Sequence, residues 1–187
     1  QFIYDNLGRL RFSQNAKQLL NGKCSYMKYD ELGRVTESGE HSFAGAFSVL
    51  QSQAGIITYP TSNIREVVRT VYTNAYPINY LVGATPQQNL LNRVSYTVSM
   101  KDPTAATALL RGEVVNVFSY DLSGNAVWTA QKIMDLPFNY MRYEFDMLSG
   151  AVLKTVYNEG AVDAFYHRYQ YDANKKLLCV ETSQDGY

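Results

Sequence analysis

The chain has 187 residues, 46% of them hydrophobic, and its seventeen basic residues are balanced by seventeen acidic ones. This hydrophobic content is enough for a packed core and excludes a disordered chain. The balanced charge, without any run of Lys or Arg, excludes the electrostatic footprint of a protein that binds nucleic acid or anionic membranes. No apolar stretch approaches the ~20 residues of a membrane span.

A short motif recurs along the chain. It is complete at Tyr4-Asp5-Asn6-Leu7-Gly8-Arg9-Leu10 and at Tyr29-Asp30-Glu31-Leu32-Gly33-Arg34-Val35. Three partial copies follow, namely Tyr120-Asp121 with Gly124, Phe145-Asp146 with Gly150, and Tyr171-Asp172. Their aspartates lie 25, 91, 25 and 26 residues apart. A recurrence in this range indicates an array of small structural units.

Each copy predicts a β-hairpin. Apolar side chains occupy the Tyr position and the position two residues earlier, and they share one face of a strand; these stripe pairs are Phe2/Tyr4, Met27/Tyr29, Phe118/Tyr120, Tyr143/Phe145 and Tyr169/Tyr171. The aspartate accepts backbone N–H bonds and starts the turn. A glycine three residues later supplies the positive φ of a hairpin connection. In the fourth copy Gly150 comes one residue later, which indicates a longer loop or a bulge. In the fifth copy Asn174 and Lys175 replace the glycine, and Asn tolerates the left-handed region.

The copies divide the chain into three parts. Residues 1–38 hold two regular hairpins, joined through residues 15–18 and an Asn21-Gly22 turn. Residues 39–111 hold degenerate repeats and insertions, with room for roughly three units that have lost the Tyr-Asp turn. Residues 112–187 hold three regular hairpins, with a turn at Asn158-Glu159-Gly160.

The middle part has its own predicted elements, including one or two short helices within residues 39–92. They are a short helix at 43–52, a strand at Ile64–Tyr72 with a helix as competitor, a loop from Tyr76 to Gly83, one or two helical turns at 85–91 with Thr85 as N-cap, and a strand at Arg93–Met100. The strand is preferred at Ile64–Tyr72 because β-branched residues crowd a helix.

The motif resembles the hallmark of the YD-repeat or Rhs-repeat family, a tandem Tyr-Asp-x-x-Gly-Arg-Leu hairpin. The later copies depart from it where Asn125, Ala151 and Lys176 replace the arginine. Residues 158–160, Phe165–Asp172 and 180–186 also resemble the large Rhs-type proteins of Bacteroidetes-like bacteria. The resemblance implies an all-β fold in which antiparallel hairpins form a twisted, curved sheet. The resemblance also implies that this sheet is part of a larger spiral shell, and we expect the chain to be a fragment of it.

Catalytic and metal-binding residue patterns are absent from the sequence. Neither His41 nor His167 has a metal-type partner three or four residues away. We expect His41 to be solvated and His167 to pack between Phe165 and Tyr169. Cys24 and Cys179 are expected to be free, half-buried thiols, and no base adjoins Cys24. The repeat aspartates are turn formers without calcium-loop spacing.

Asp102-Pro103 resembles the start of a further motif of the family. Asp102-Pro103 is followed by Thr104-Ala105, so it lacks the glycine of the self-cleavage motif of Rhs proteins, and we expect a loop there. The sequence therefore predicts a protein that is not an enzyme and has no cofactor or metal.

The resemblance implies a wall segment of a shell that encapsulates a C-terminal toxin or effector domain of a large, secreted or cell-surface, polymorphic-toxin-like protein. Its partners would be flanking YD repeats, the enclosed effector domain, and secretion machinery or a surface receptor. The alternative is an adhesion module whose sheet binds carbohydrate or protein. Tyrosine stripes buried between repeats would favour the shell, whereas five or more rings in one exposed patch would favour adhesion.

Overall fold

The structure, a computed structural model, describes residues 1–77, 86–103 and 113–186. These residues form twelve strands: β1 (Phe2–Tyr4), β2 (Leu10–Ser13), β3 (Lys23–Tyr29), β4 (Val35–Ser42), β5 (Ile64–Tyr72), β6 (Val94–Met100), β7 (Val114–Tyr120), β8 (Ala126–Ile133), β9 (Asn139–Phe145), β10 (Val152–Tyr157), β11 (Phe165–Tyr171) and β12 (Leu177–Ser183). There are two short helices, α1 (Ala16–Leu20) and a 3₁₀ helix (Phe47–Gln53). The strands lie in one open antiparallel sheet in chain order, with β1 and β12 at its ends. The predicted all-β class and tandem hairpins are confirmed.

A β-bulge recurs on the returning strand, just after the Tyr-Asp turn. In the β1–β2 hairpin Tyr4 lies opposite Leu10 but Ile3 lies opposite Phe12, so Arg11 is the extra residue. The register shifts in the same way in β3–β4, β9–β10 and β11–β12. The sequence indicated a longer loop or a bulge, and in the fourth copy alone. The bulge is instead a shared property of these hairpins, and it increases the local twist of the strand that carries it.

The described residues fall into two compact units, one drawn from 1–71 and 97–114 and the other from 72–96 and 115–187. In the first unit, the 3₁₀ helix buries Phe47 and Leu50 in a core that includes Phe12 and Tyr26 of the sheet. The bulge residue Arg11 is only 1% exposed. Its Nη2 donates to the carbonyl oxygens of Ile56 at 3.1 Å and Tyr59 at 2.8 Å, which fixes the segment after the helix.

In the second unit, alternate residues of β7 point inward, and Val115, Val117 and Ser119 are buried. Trp128 of β8 is also buried, with 5% of its surface exposed. The amide of Gln87 connects the segment between β5 and β6 to the sheet. Its Nε2 donates to the carbonyl oxygens of Ser95 at 2.9 Å and Phe118 at 2.7 Å.

Two connections differ from the sequence-based prediction. Residues 15–22 do not make a two-residue hairpin turn, because Asn15 caps α1 with a capping box and the helix ends at the Asn21-Gly22 turn. Residues 86–91 are not helical, since their polar groups bond to the sheet instead. Thr85 lies outside the described residues, as do Ile78–Gly83 of the predicted loop and residues 104–105.

The middle part of the chain also differs in its number of repeats. Between residues 43 and 113, the described ranges contain one hairpin, made of β5 and β6, where roughly three units were expected. The strands at Ile64–Tyr72 and Val94–Met100 and a short helix near 43–52 are confirmed. Asp102-Pro103 lies in the bend and loop that follow β6.

The surroundings of His167 agree with the sequence-based prediction, whereas those of His41 and the two cysteines differ from it. His41 is 4% exposed rather than solvated, because Phe43 stacks on its ring and the Tyr59 hydroxyl lies 2.9 Å from its Nε2. His167 packs between Phe165 and Tyr169 as expected. Both cysteines are free, but neither is half-buried: Cys24 is buried and Cys179 is exposed.

Candidate functional site: the contact between successive hairpins

The aspartate of each motif organises its own turn. Asp5 Oδ1 accepts the backbone N–H groups of Leu7 and Arg9, both at 2.9 Å. The turn is closed by backbone bonds from Asp5 N to Arg9 O at 2.9 Å and from Gly8 N to Asp5 O at 3.0 Å. Gly8 has a φ of +74°, which explains why the motif requires glycine there.

The other four copies keep the aspartate in the same role. In each, Oδ1 accepts one or two backbone N–H bonds from residues two and four positions later; the acceptors are Asp30, Asp121, Asp146 and Asp172. In the fifth copy Lys175, with a φ of +64°, takes the glycine position. Of the two residues that replace the glycine, Lys175 and not Asn174 adopts the left-handed conformation, because Lys175 lies three residues after Asp172, where Gly8 and Gly33 follow their own aspartates.

The motif arginine completes the turn with a side-chain bond. Arg9 Nε lies 2.7 Å from Asp5 Oδ2, and Arg34 Nε lies 2.6 Å from Asp30 Oδ2. Burial alone would raise the pKa of Asp5, but the hydrogen bonds from Arg9 and Leu7 outweigh it and lower that pKa below its usual value. The pKa of Asp30 is lowered in the same way.

Other side chains donate to the aspartate in the copies that lack the arginine. In the third copy, Asn125 Nδ2 donates to Asp121 Oδ2 at 2.8 Å. In the fourth, the Ser149 hydroxyl donates to Asp146 Oδ2 at 2.5 Å. These side-chain bonds are the first cause of the lowered pKa of Asp121 and of Asp146. The turn therefore tolerates several donors opposite the aspartate.

The tyrosine of the motif contacts the preceding hairpin. Tyr29 Oη donates to the carbonyl oxygen of Leu10 at 2.7 Å, and Leu10 is the first residue of the returning strand β2. The same bond joins Tyr120 to Val94 O at 2.9 Å and Tyr171 to Val152 O at 2.9 Å. Phe145 has no hydroxyl, and its ring stacks with Tyr143 instead. The position is thus a fastening between hairpins.

The arginine reaches the next hairpin as well as its own turn. The guanidinium of Arg9 lies 4.7 Å from the centre of the Tyr29 ring, and its Nη1 donates to Asp30 O at 3.4 Å. The ring face attracts the cation, and burial of the ring limits competition from water. One arginine therefore links its own aspartate to the tyrosine of the following copy.

A sixth copy of the motif was missed from sequence because an insertion splits it. Tyr72 and Thr73 hold the Tyr-Asp positions, and Asn92, Arg93 and Val94 hold the Gly-Arg-Leu positions. Thr73 N donates to Arg93 O at 3.1 Å, and Asn92 N donates to Thr73 Oγ1 at 3.1 Å. Asn92 has a φ of +59°, as the glycine position requires.

Arg93 confirms this assignment by its contacts. It lies over the Tyr120 ring at 5.4 Å and donates from Nη1 to Asp121 O at 3.0 Å, as Arg9 does to the next hairpin. The available signal was Leu91-Asn92-Arg93-Val94, which parallels Leu32-Gly33-Arg34-Val35 with Asn for Gly.

Groups suited to metal ligation do not converge in the described ranges. There, no group of three or more His, Cys, Asp or Glu side chains is placed to hold a metal ion. No helix of the described residues is long and apolar enough to cross a membrane.

Comparison with known proteins finds solved structures of low similarity, and two of them contain TccC3. No family model and no curated protein matches the chain. The crystal structure of TcdB2-TccC3-Cdc42 aligns with 95% of the chain at 11% identity and a TM-score of 0.27. A Photorhabdus luminescens Tc holotoxin pore with mutated TccC3 aligns with 95% of it at 10% identity and a TM-score of 0.25. The chain spans 11% of the length of either. TM-scores this low do not assign the chain to the fold or the function of these proteins.

Proposed function

We propose that the chain is a non-catalytic wall segment of an Rhs/YD-repeat shell that encloses a C-terminal toxin or effector domain of a large secreted or cell-surface protein. The observation that carries the proposal is the bond from Tyr29 Oη to Leu10 O, with its counterparts at Tyr120 and Tyr171. The tyrosines that recur in the motif therefore bind each of these hairpins to the one before it. Such a motif serves to extend a sheet.

The exposure of the tyrosine stripes favours a wall over an adhesive surface. Of the ten stripe rings and side chains, eight are partly buried. The two exposed ones, Phe2 at 66% and Tyr4 at 51%, both belong to the end strand β1. A patch of five exposed rings, which would favour adhesion, is therefore not formed by these residues.

The partners of this wall follow from the resemblance to YD-repeat proteins. Flanking repeats would pair with the two end strands, the effector domain would lie inside, and secretion machinery or a surface receptor would act on the whole protein. Pairing with flanking repeats agrees with the unpaired outer edges of β1 and β12, because open edges of a sheet recruit further strands.

The test uses the protein that carries this chain, with Tyr29, Tyr120 and Tyr171 all changed to Phe. The rings remain, so the change removes the three hydroxyl bonds between hairpins and one long contact from Tyr29 Oη to Met27 Sδ at 3.5 Å. We expect limited proteolysis to spare the C-terminal domain of the natural protein and to degrade it faster in the triple variant. Tyr143→Phe is the matched control, since the Tyr143 ring stacks on Phe145 and its hydroxyl makes no hydrogen bond within the described residues.

Two results would contradict the proposal. One is a C-terminal domain that is digested as fast in the natural protein as when it is expressed alone. The other is binding of the natural protein to cells or glycans that Phe2→Ser and Tyr4→Ser abolish, which would favour adhesion.

A further inference from the structure

The second unit contains a cavity that the repeat motif does not use. Its volume is about 910 Å³, and it lies between the loops that follow β8 and β10. Three aromatic rings line it in a row: the ring centres of Tyr76 and Phe138 are 6.0 Å apart, and those of Phe138 and Tyr140 are 6.5 Å apart. The volume is within the range of small-molecule sites, about 300–1,000 Å³.

The polar part of the cavity is held in place by Asn158, which is 8% exposed. Its Oδ1 accepts the backbone N–H of Tyr140 at 2.7 Å, and its Nδ2 donates to Asp163 Oδ2 at 2.9 Å and Asn139 Oδ1 at 3.1 Å. Asn158 has a φ of +43°, an unfavourable conformation that these three bonds offset. These bonds fix the loop that follows β10 to the start of β9.

One polar atom of the lining is left unsatisfied. Tyr140 Oη is buried and has no hydrogen-bond partner among the described residues. Burial raises the pKa of Tyr140, so the hydroxyl keeps its proton near neutral pH. A buried hydroxyl without a partner costs stability, and Tyr140 is one of the residues that line the cavity.

The charges around the cavity favour a cation. Asp135, Glu159 and Asp163 line it, against the single ammonium group of Lys132. Glu159 also forms an ion pair with Arg142, in which Oε2 lies 2.5 Å from Nη2. The net charge of these groups remains negative. Aromatic rings attract cations through their faces, and carboxylates bind guanidinium and ammonium groups in charge-assisted hydrogen bonds.

Cation–ring contacts of this kind also form within the second unit, between its own basic side chains and tyrosine rings. The guanidinium of Arg93 lies 5.4 Å from the centre of the Tyr120 ring, and Lys154 Nζ lies 5.6 Å from that of Tyr166. The cavity presents rings and carboxylates of this kind to solvent.

We propose that this cavity binds an organic cation, a guanidinium or ammonium group on an apolar carbon chain. Phe138 and Tyr140 contact the carbon chain and the cation, Asp135 pairs with the charge, and Tyr140 Oη gains its missing partner. This binding activity is separate from the wall function, because no residue of the Tyr-Asp motif lines the cavity. The cation is either a free amine-type molecule or a basic side chain of a polypeptide.

Calorimetric titration of the 187-residue chain tests the proposal with three probes. Butylguanidine represents a free cation, acetyl-arginine methylamide represents a basic side chain, and acetyl-citrulline methylamide is its neutral isostere. We expect saturable binding of at least one cation that weakens with added salt, and binding of the citrulline probe that is at least about tenfold weaker. Tighter binding of the arginine probe than of butylguanidine would identify a polypeptide source, and the reverse order a free cation.

Variants then locate the site. Asp135→Asn and Tyr140→Phe should each weaken cation binding about tenfold while the unfolding temperature stays within a few degrees of the natural chain. Asp185→Asn, an exposed carboxylate away from the cavity, should bind as the natural chain does. The proposal is overturned by an absence of saturable cation binding at low salt, by equal binding of the citrulline probe, or by unchanged binding in both cavity variants.

Discussion

At the scale of single residues, the hydroxyl of Tyr29 is the smallest part of the hairpin contact that can be removed. Tyr29→Phe keeps the ring under Arg9 and deletes the bond to Leu10 O. We expect the free energy of unfolding to fall by about 1 kcal/mol, the net value of one hydrogen bond. Denaturant titration measures it, and Tyr4→Phe should change the value by less than about 0.5 kcal/mol. Equal effects of the two substitutions would contradict a fastening role for Tyr29.

The glycine position of the turn gives a prediction with opposite signs in two copies. Gly33 has a φ of +77° and nothing within 4 Å of where a Cβ would lie, so Gly33→Ala should cost about 1–2 kcal/mol through conformation alone. Lys175 holds the same position with a φ of +64°, so Lys175→Gly should raise the free energy of unfolding by up to about 1 kcal/mol. Chemical denaturation measures both, and destabilisation by Lys175→Gly would contradict the shared turn geometry.

At the scale of the elements, Glu37 joins three strands of the first unit. Its carboxylate accepts from Tyr26 Oη at 2.9 Å and from Arg69 Nε at 2.6 Å, and it lies 2.7 Å from Lys28 Nζ. Burial raises the pKa of Glu37, but bonds from Lys28 and Arg69 outweigh it, so the pKa lies below its usual value of 4.5. A lowered pKa in the folded state means that this stabilisation is present above the unfolded-state pKa and is lost as the pH falls through the folded value.

Glu37→Gln tests this link between charge and stability. At pH 7 it should cost about 3 kcal/mol, since Lys28 and Arg69 lose their buried counter-charge. The difference between the natural chain and the variant should shrink as the pH falls below about 4.5. Because the two proteins differ only at residue 37, comparing their urea titrations at pH 7 and pH 3 isolates the contribution of the Glu37 charge. A pH-independent difference would exclude the proposed role of its charge.

The two cysteines differ in the elements that contain them. Cys24 of β3 is 0% exposed, and burial, followed by the nearby carboxylate of Glu40, raises its pKa to about 12. Cys179 of β12 is exposed. A chromogenic disulfide reagent at pH 8 should therefore modify one thiol in the folded chain and two after unfolding. Cys179→Ser should abolish the fast reaction, and a remaining fast thiol would show that Cys24 is accessible.

The regular hairpins could be predicted from the sequence because their signal is local. The aspartate, the glycine and the strand residues on either side lie within a few positions of each other, so Tyr29–Val35 contains what its turn needs. The split copy could not be found in this way, since eighteen residues separate Thr73 from Asn92 and only the fold brings them together. His41 was misplaced for the same reason, as it is buried by Tyr59 and other residues distant in sequence.

At the scale of the whole molecule, the order of the strands leaves two edges. The outer sides of β1 and β12 have unpaired backbone groups within the described sheet, and β12 exposes Leu178 at 67% and Val180 at 44%. Exposed apolar edge strands pair with other chains. We therefore expect sedimentation velocity to show association of the isolated chain that increases with concentration.

A lysine substitution on the edge strand distinguishes association through strand pairing from non-specific apolar association. Val180→Lys places a charge on β12, so it should weaken association, because edge lysines oppose strand pairing. Val162→Lys is the matched control: Val162 is fully exposed but lies in the loop before β11, so association should persist. Equal loss in both variants would indicate non-specific apolar contact, and a strictly monomeric natural chain at high concentration would contradict edge pairing. In the proposed shell these same edges are covered by flanking repeats, so a longer chain that supplies them should associate less.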